Sequence, residues 1–178
     1  LLEGMDYNGY EVAVEELPMR YKEIQDIIRQ LVDKHKPAAV IATGVSSKAP
    51  DICVERVAIN VGSADGGPNF GYDTLDQVLN PNGPAAYWST LPIRDIVEAI
   101  KKTGIPARVS NSAGTQGCNL VFYHLMDYLA EKELDTPAGF IHVPRLPENA
   151  VSIINPSMSL ITSARALEEA VSLVASRL

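Results

Sequence analysis

Apolar residues recur along this chain with two different periods. Between residues 20 and 36, Ile24, Ile27, Ile28, Leu31 and Val32 return at a spacing of about 3.6, which predicts an amphipathic helix laid on a sheet, with Pro37 ending it. The same period predicts helices over 91–104, where Pro92 stands near the start and Gly104 near the end, and over 118–133, through Leu120, Val121, Leu125 and Leu129. A last helix is predicted over 159–178, with Ala164, Leu167, Val171 and Val174 inward. Shorter runs of another kind separate them. Residues 10–17 alternate and read as a strand closed by Pro18. Residues 38–43 are continuously apolar, the mark of a strand covered on both faces, and a loop is predicted from Gly44 to Asp51. Residues 52–60, 107–109 and 139–143 read as further strands. Helices alternating with strands in this way predict an α/β domain with helices on both faces of the sheet. Two stretches fall outside the pattern: 62–84, polar and carrying five Gly, three Pro and three Asn, and the Pro-bounded loop 144–156.

The length of 178 residues suits one domain with a sizeable core. A net charge of −7 argues against a nucleic-acid groove, which needs clustered Lys and Arg. No apolar run approaches the length of a membrane span, and no basic-then-apolar leader opens the chain. Two cysteines, Cys53 and Cys118, are too few for a disulfide framework and point to a reducing, cytoplasmic setting. The chain starts without Met, so the sequence is expected to begin inside the natural protein.

Candidate chemistry gathers at 110–119, SNSAGTQGCN, between a short strand and a helix. Gly114 and Gly117 suit the turn. Cys118 falls at the start of the helix, where unsatisfied N–H groups and the positive end of the dipole favour a thiolate. The plain alternative is a small buried hydrophobe. A nucleophilic cysteine needs a base, and the base an orienting acid. Of the three histidines, His35 lies in a charged run and reads as solvated. His124 is six residues beyond Cys118 on the same helix and so on another face. His142, in the apolar strand GFIHV, is the candidate base, with a satisfied core histidine as the alternative. Glu55 interrupts the apolar run ICVERVAIN and is the candidate carboxylate, with simple alternation onto a wet face as the alternative. No G-x-G-x-x-G or P-loop follows a strand, which leaves a nucleotide-binding domain without support.

Taken in order, ERVAIN, SNSAGTQGCN and GFIHVPRLPE resemble the signature regions of the pyroglutamyl peptidase I (pyrrolidone-carboxylate peptidase) family of cysteine peptidases. The linking segments LPMRYKEI, GPAAYWSTLPI, GIPARVSNSAG and NPSMSL are similar too, so the likeness runs from about Glu15 to the C-terminus. The resemblance implies a three-layer α/β/α sandwich around a twisted, mainly parallel (mixed) sheet. It also implies a single peptidase-like domain over 1–178, without the family's N-terminal strand and loop. The implied activity is an omega-peptidase that removes an N-terminal pyroglutamyl residue from peptides without metal or cofactor. The implied catalytic set is Cys118 as nucleophile, His142 as acid–base and Glu55 as the residue that orients the imidazole. Backbone N–H groups at the helix start would hold the oxyanion, and Gln116 and Gly117 are the implied substrate-binding positions. Implied partners are peptides with a blocked N-terminus, and self-association, as a tetramer, follows by resemblance alone.

Four departures from the family pattern bear on the acyl pocket. Nothing matches the family's Gly-Phe-x-Pro-Phe loop; Gln116 replaces a common aromatic; Ser46, Ser47 and Lys48 stand where a Gly-Gly-Arg run is frequent; and Asp65 stands in place of an Arg. They leave open a silent member with a binding or regulatory role, or a peptidase or amidase of altered acyl specificity.

Overall fold

The structure, a computed structural model, describes residues 1–18, 20–63, 76–151 and 155–178. Its frame is a four-stranded sheet built from β3 (Val40–Ser46), β4 (Ile52–Glu55), β7 (Ala107–Ser110) and β8 (Ala138–Pro144), in the order β3-β8-β4-β7. β3 runs parallel to β8 and β4 parallel to β7, while β4 and β8 are antiparallel. The sheet is therefore mixed, with two of its three pairings parallel.

Helices cover both faces. α1 (Tyr21–His35) and α3 (Gly117–Glu131) pack on one face, where Ile24, Ile28, Val32, Phe122 and Leu125 meet Ala138 and Phe140. α2 (Ile93–Lys102) and α4 (Leu160–Ala175) pack on the other, around Ile52, Val54, Ile96, Ile100 and Ile141. The two sets of strand residues alternate, as the pleat requires. α1 stops where Lys36 turns left-handed, φ 45°, ahead of Pro37. α4 is capped by Ser159, whose side chain accepts the Thr162 N–H.

Several sequence expectations shift. The run 52–60 is not one strand: it breaks at Arg56, and β5 (Val57–Ile59) leaves the main sheet to pair antiparallel with β6 (Ala86–Trp88). β6 lies in a stretch that carried no sequence assignment. The alternating run 10–17 is strand only at β2 (Tyr10–Glu11), in a hairpin with β1 (Asp6–Tyr7). Alternation needs a neighbouring ladder, and from Val14 onward the described residues supply none; Val14 is exposed. β3 continues through Ser46 into the predicted loop, and it is half-buried because it pairs only with β8 among the described strands. On α4 the buried residues include Ser163, Ala166, Ala170 and Val174; Val174 is inward as predicted, while Ala164, Leu167 and Val171 are half-buried, Leu167 against the core. The polar segment 62–84 lies in part outside the described residues, and Asp65 falls in that part.

Candidate active site

The break at Arg56 ends β4 at Glu55. Across the antiparallel β4–β8 pair, Cys53 lies opposite His142 and Val54 opposite Ile141, and Glu55 follows two residues on from Cys53. Glu55 and His142 are thus diagonal neighbours on one face of the sheet, about 7–8 Å apart at the backbone and within reach of long side chains. Their side chains meet: His142 Nδ1 lies 2.8 Å from Glu55 Oε1. Both are buried, Glu55 at 2% exposure and His142 at 7%. The reading of Glu55 as a wet-face residue therefore does not hold. Its other oxygen, Oε2, is buried without a hydrogen-bond partner among the described residues.

Cys118 comes to the same face from above, as the second residue of α3. The chain enters that helix through Gly114, whose φ of 79° is the left-handed turn; Gly117, by contrast, is already helical. Gly44 of β3, paired in register with His142, makes room for the sulfur. A methyl group at Gly44 would stand 2.9 Å from Cys118 Sγ and 2.9 Å from Phe140 Cζ, closer than carbon tolerates. Phe140, two residues before His142 on the same face, packs its ring 4.8 Å from the imidazole.

These contacts set the state of the imidazole. Burial on its own would lower the His142 pKa. Hydrogen bonding to Cys118 and then to Glu55, reinforced by Coulombic attraction to both, outweighs it and pushes His142 up to about 9. With Nδ1 facing Glu55, Nε2 is the nitrogen left to exchange a proton with the thiol.

At the start of α3 the Gly117 N–H is donated to Tyr21 Oη at 3.0 Å, and the helical ladder begins with the Leu120 N–H on Gln116 O. Between them stand the N–H groups of Cys118 and Asn119, at the positive end of the dipole. Gln116 is exposed at the N-cap, and its side chain caps none of these groups. Asn119 faces away from the thiol and is fully buried; it accepts the Ile59 N–H and donates to Ile59 O and Val61 O, all at 2.9 Å. The Ser63 N–H, donated to Thr115 O at 2.8 Å, ties the chain beyond β5 to the turn before Cys118.

The remaining candidates lie elsewhere. His124 is buried at the α1 side of α3, where burial lowers its pKa. His35 is paired with Glu15 at 2.7 Å. Cys53 is buried beside Arg108, and burial pushes its thiol up to about 12, which leaves it a poor nucleophile. Both thiols are free. Among the described residues no group of three or more His, Cys, Asp or Glu is arranged to hold a metal ion. Gly44, Tyr21 and Asn119 are the site neighbours that the sequence reading did not single out. Gly44 ends an apolar run and read as the start of a loop; Tyr21 stands inside LPMRYKEI, and Asn119 directly follows the thiol.

A thiol at a helix start, over a buried imidazole–carboxylate pair on an α/β sandwich, has the parts that thiol-dependent acyl transfer requires. The sequence profile of pyroglutamyl peptidase matches residues 1–177. The chain is 39% identical over 165 residues to the pyrrolidone-carboxylate peptidase of Bacillus subtilis, covering 90% of this chain and 77% of that protein. With the same-named protein of Thermococcus onnurineus it shares 41% over 160 residues, 90% of this chain and 80% of the relative. The crystal structure of pyroglutamyl peptidase I from Bacillus amyloliquefaciens superposes with a TM-score of 0.94 at 38% identity, covering 98% of this chain and 83% of that one. The chain belongs to the pyroglutamyl peptidase family of cysteine peptidases.

Proposed function

We propose that this chain is a pyroglutamyl peptidase that hydrolyses the bond after an N-terminal pyroglutamyl residue of a peptide, with Cys118, His142 and Glu55 as its catalytic set. His142 Nε2 takes the Cys118 proton, and the sulfur attacks the acyl carbonyl carbon. The resulting oxyanion is held by the N–H groups of Cys118 and Asn119. As the tetrahedral intermediate collapses, the C–N bond breaks, and the imidazolium gives its proton to the leaving amine of the shortened peptide. Water, deprotonated by the now neutral His142, then attacks the thioester and releases pyroglutamate and the thiol. Glu55 keeps the imidazole in the required tautomer and stabilises its charged form. Gln116, exposed two residues ahead of Cys118, borders the acyl group. Gly117 contributes its backbone position rather than its N–H, which Tyr21 already holds.

The observation that carries this reading is the buried 2.8 Å His142–Glu55 pair on the sheet face beneath Cys118. The two free thiols favour a reducing, cytoplasmic setting. No helix among the described residues is long and apolar enough to cross a membrane. By family resemblance the working unit is a homo-oligomer, which sedimentation velocity checks directly. The activity is tested with a fluorogenic pyroglutamyl amide. The wild-type chain is expected to release the fluorophore and Cys118→Ala to lose at least ~10³-fold in kcat. Equal rates in the two proteins would refute the assignment.

A further inference from the structure

The segment around the thiol is tied down residue by residue: Thr115 through Ser63, Asn119 through β5, and Gly117 through Tyr21. The third tie differs from the others. It comes from α1, 96 residues away in sequence, and it lands on the residue directly before the nucleophile. The first N–H groups of a helix have no partner inside the helix and usually find an N-cap side chain or water. Here the N-cap side chain, Gln116, makes no such bond. A phenol oxygen takes the Gly117 N–H instead, at 3.0 Å and out of solvent, since Tyr21 is 5% exposed.

We propose that Tyr21 is a positioning residue for Cys118: by accepting the Gly117 N–H it fixes the first turn of α3, and with it the placement of the sulfur over His142. The proposal rests on the reading of Cys118 as the nucleophile. It has a second consequence. Because the Gly117 N–H points at the phenol, the oxyanion site is left to the N–H groups of Cys118 and Asn119, which follow it round the turn. Burial of the ring and the charge at Cys118 raise the Tyr21 pKa, although the Gly117 bond opposes them, so the phenol stays neutral where the enzyme works. It thus adds no charge beside the sulfur, and its effect is one of placement.

Tyr21→Phe keeps the ring in its packing and removes only the oxygen. Wild type, Tyr21→Phe and Cys118→Ala are compared on the pyroglutamyl amide, with kcat and KM measured separately. The rate of Cys118 alkylation by iodoacetamide is followed against pH, and Tm is recorded for each protein. Tyr21→Phe is expected to lower kcat about tenfold, as misplacement of a reacting group does. KM is expected to stay within about twofold, and Tm to fall by only a few degrees. The pH profile of Cys118 alkylation should shift, because a sulfur released from its place over His142 exchanges its proton differently; a purely structural bond would leave that profile unmoved. If Cys118→Ala is inactive while Tyr21→Phe matches wild type in kcat and in alkylation profile, the nucleophile stands and the role of Tyr21 is refuted. If Cys118→Ala retains activity, the nucleophile reading fails and this inference fails with it.

Discussion

Gly44 has an ordinary backbone, so its lack of a side chain serves space rather than conformation. The 2.9 Å that a methyl would leave to both Cys118 Sγ and Phe140 Cζ allows no accommodation without moving one of them. Gly44→Ala is therefore expected to lower kcat/KM by about 100-fold through displacement of the sulfur, measured on the pyroglutamyl amide; unchanged kinetics would show that the sulfur has room to spare. The pairing of His142 carries a pH signature with a definite sign. Its pKa is raised to about 9 from an ordinary 6.5, so the stability it contributes is complete below about 6.5 and is lost as pH rises through about 9. Turnover should fall over the same upper limb, because the neutral ring has no proton for the leaving amine. Glu55→Gln removes the carboxylate charge, and the descending limb is expected to move to lower pH in a kcat profile. A limb that stays in place would separate Glu55 from the imidazole. At this scale the sequence named Cys118, His142 and Glu55 as candidates but left each with a plain alternative. For Glu55 the alternative needed a wet face, and β4, buried at all four of its residues between the two helix layers, has none.

Asn119 joins the nucleophile's helix to β5 by three bonds from one buried side chain, two to carbonyls and one from an N–H. Asn119→Ala leaves the Ile59 N–H and Val61 O without partners in a dry place, while Ile59 O keeps the Val61 N–H at 2.8 Å, and is expected to cost about 2–3 kcal/mol, read as a fall in urea midpoint. A loss below about 1 kcal/mol would mean that water replaces the amide. A second set of bonds holds the chain after residue 76: Asp127 on α3 accepts from Asn80 and Tyr87, and Asn60 accepts the N–H groups of Leu79 and Asn80. Such side-chain ties explain why the four helices were legible and the strands less so. Helix periodicity is local, and the predicted bounds fall within about two residues of α1, α2 and α3. Strand identity depends on partners. Residues 10–17 alternate but find no ladder beyond the hairpin, while β6 carries little pattern and is a strand because β5 lies beside it. On α4 periodicity found Val174 and Leu167 on the core side, but the buried positions beside them are the small Ser163, Ala166 and Ala170.

For the molecule as a whole, the two helix layers divide the work. The α2–α4 face is closed over by aliphatic packing, and the α1–α3 face carries every group assigned to the reaction. The alternation of elements anticipated this sandwich, and the mixed sheet was implied by the family resemblance. What periodicity could not convey is that the antiparallel β4–β8 contact brings Glu55 and His142 together on a sheet face rather than in a crevice at parallel strand ends. The two cysteines have opposite prospects, Cys118 partly accessible at a helix start and Cys53, within that contact opposite His142, buried with its thiol pushed up to about 12. The central claim, that Cys118 attacks a pyroglutamyl acyl group, is tested most directly with a pyroglutamyl chloromethyl ketone, followed by peptide mapping of the inactivated protein. The account predicts complete loss of activity with one label per chain, carried by Cys118, and protection by a pyroglutamyl peptide. Label on Cys53, or inactivation with Cys118 unmodified, would contradict it.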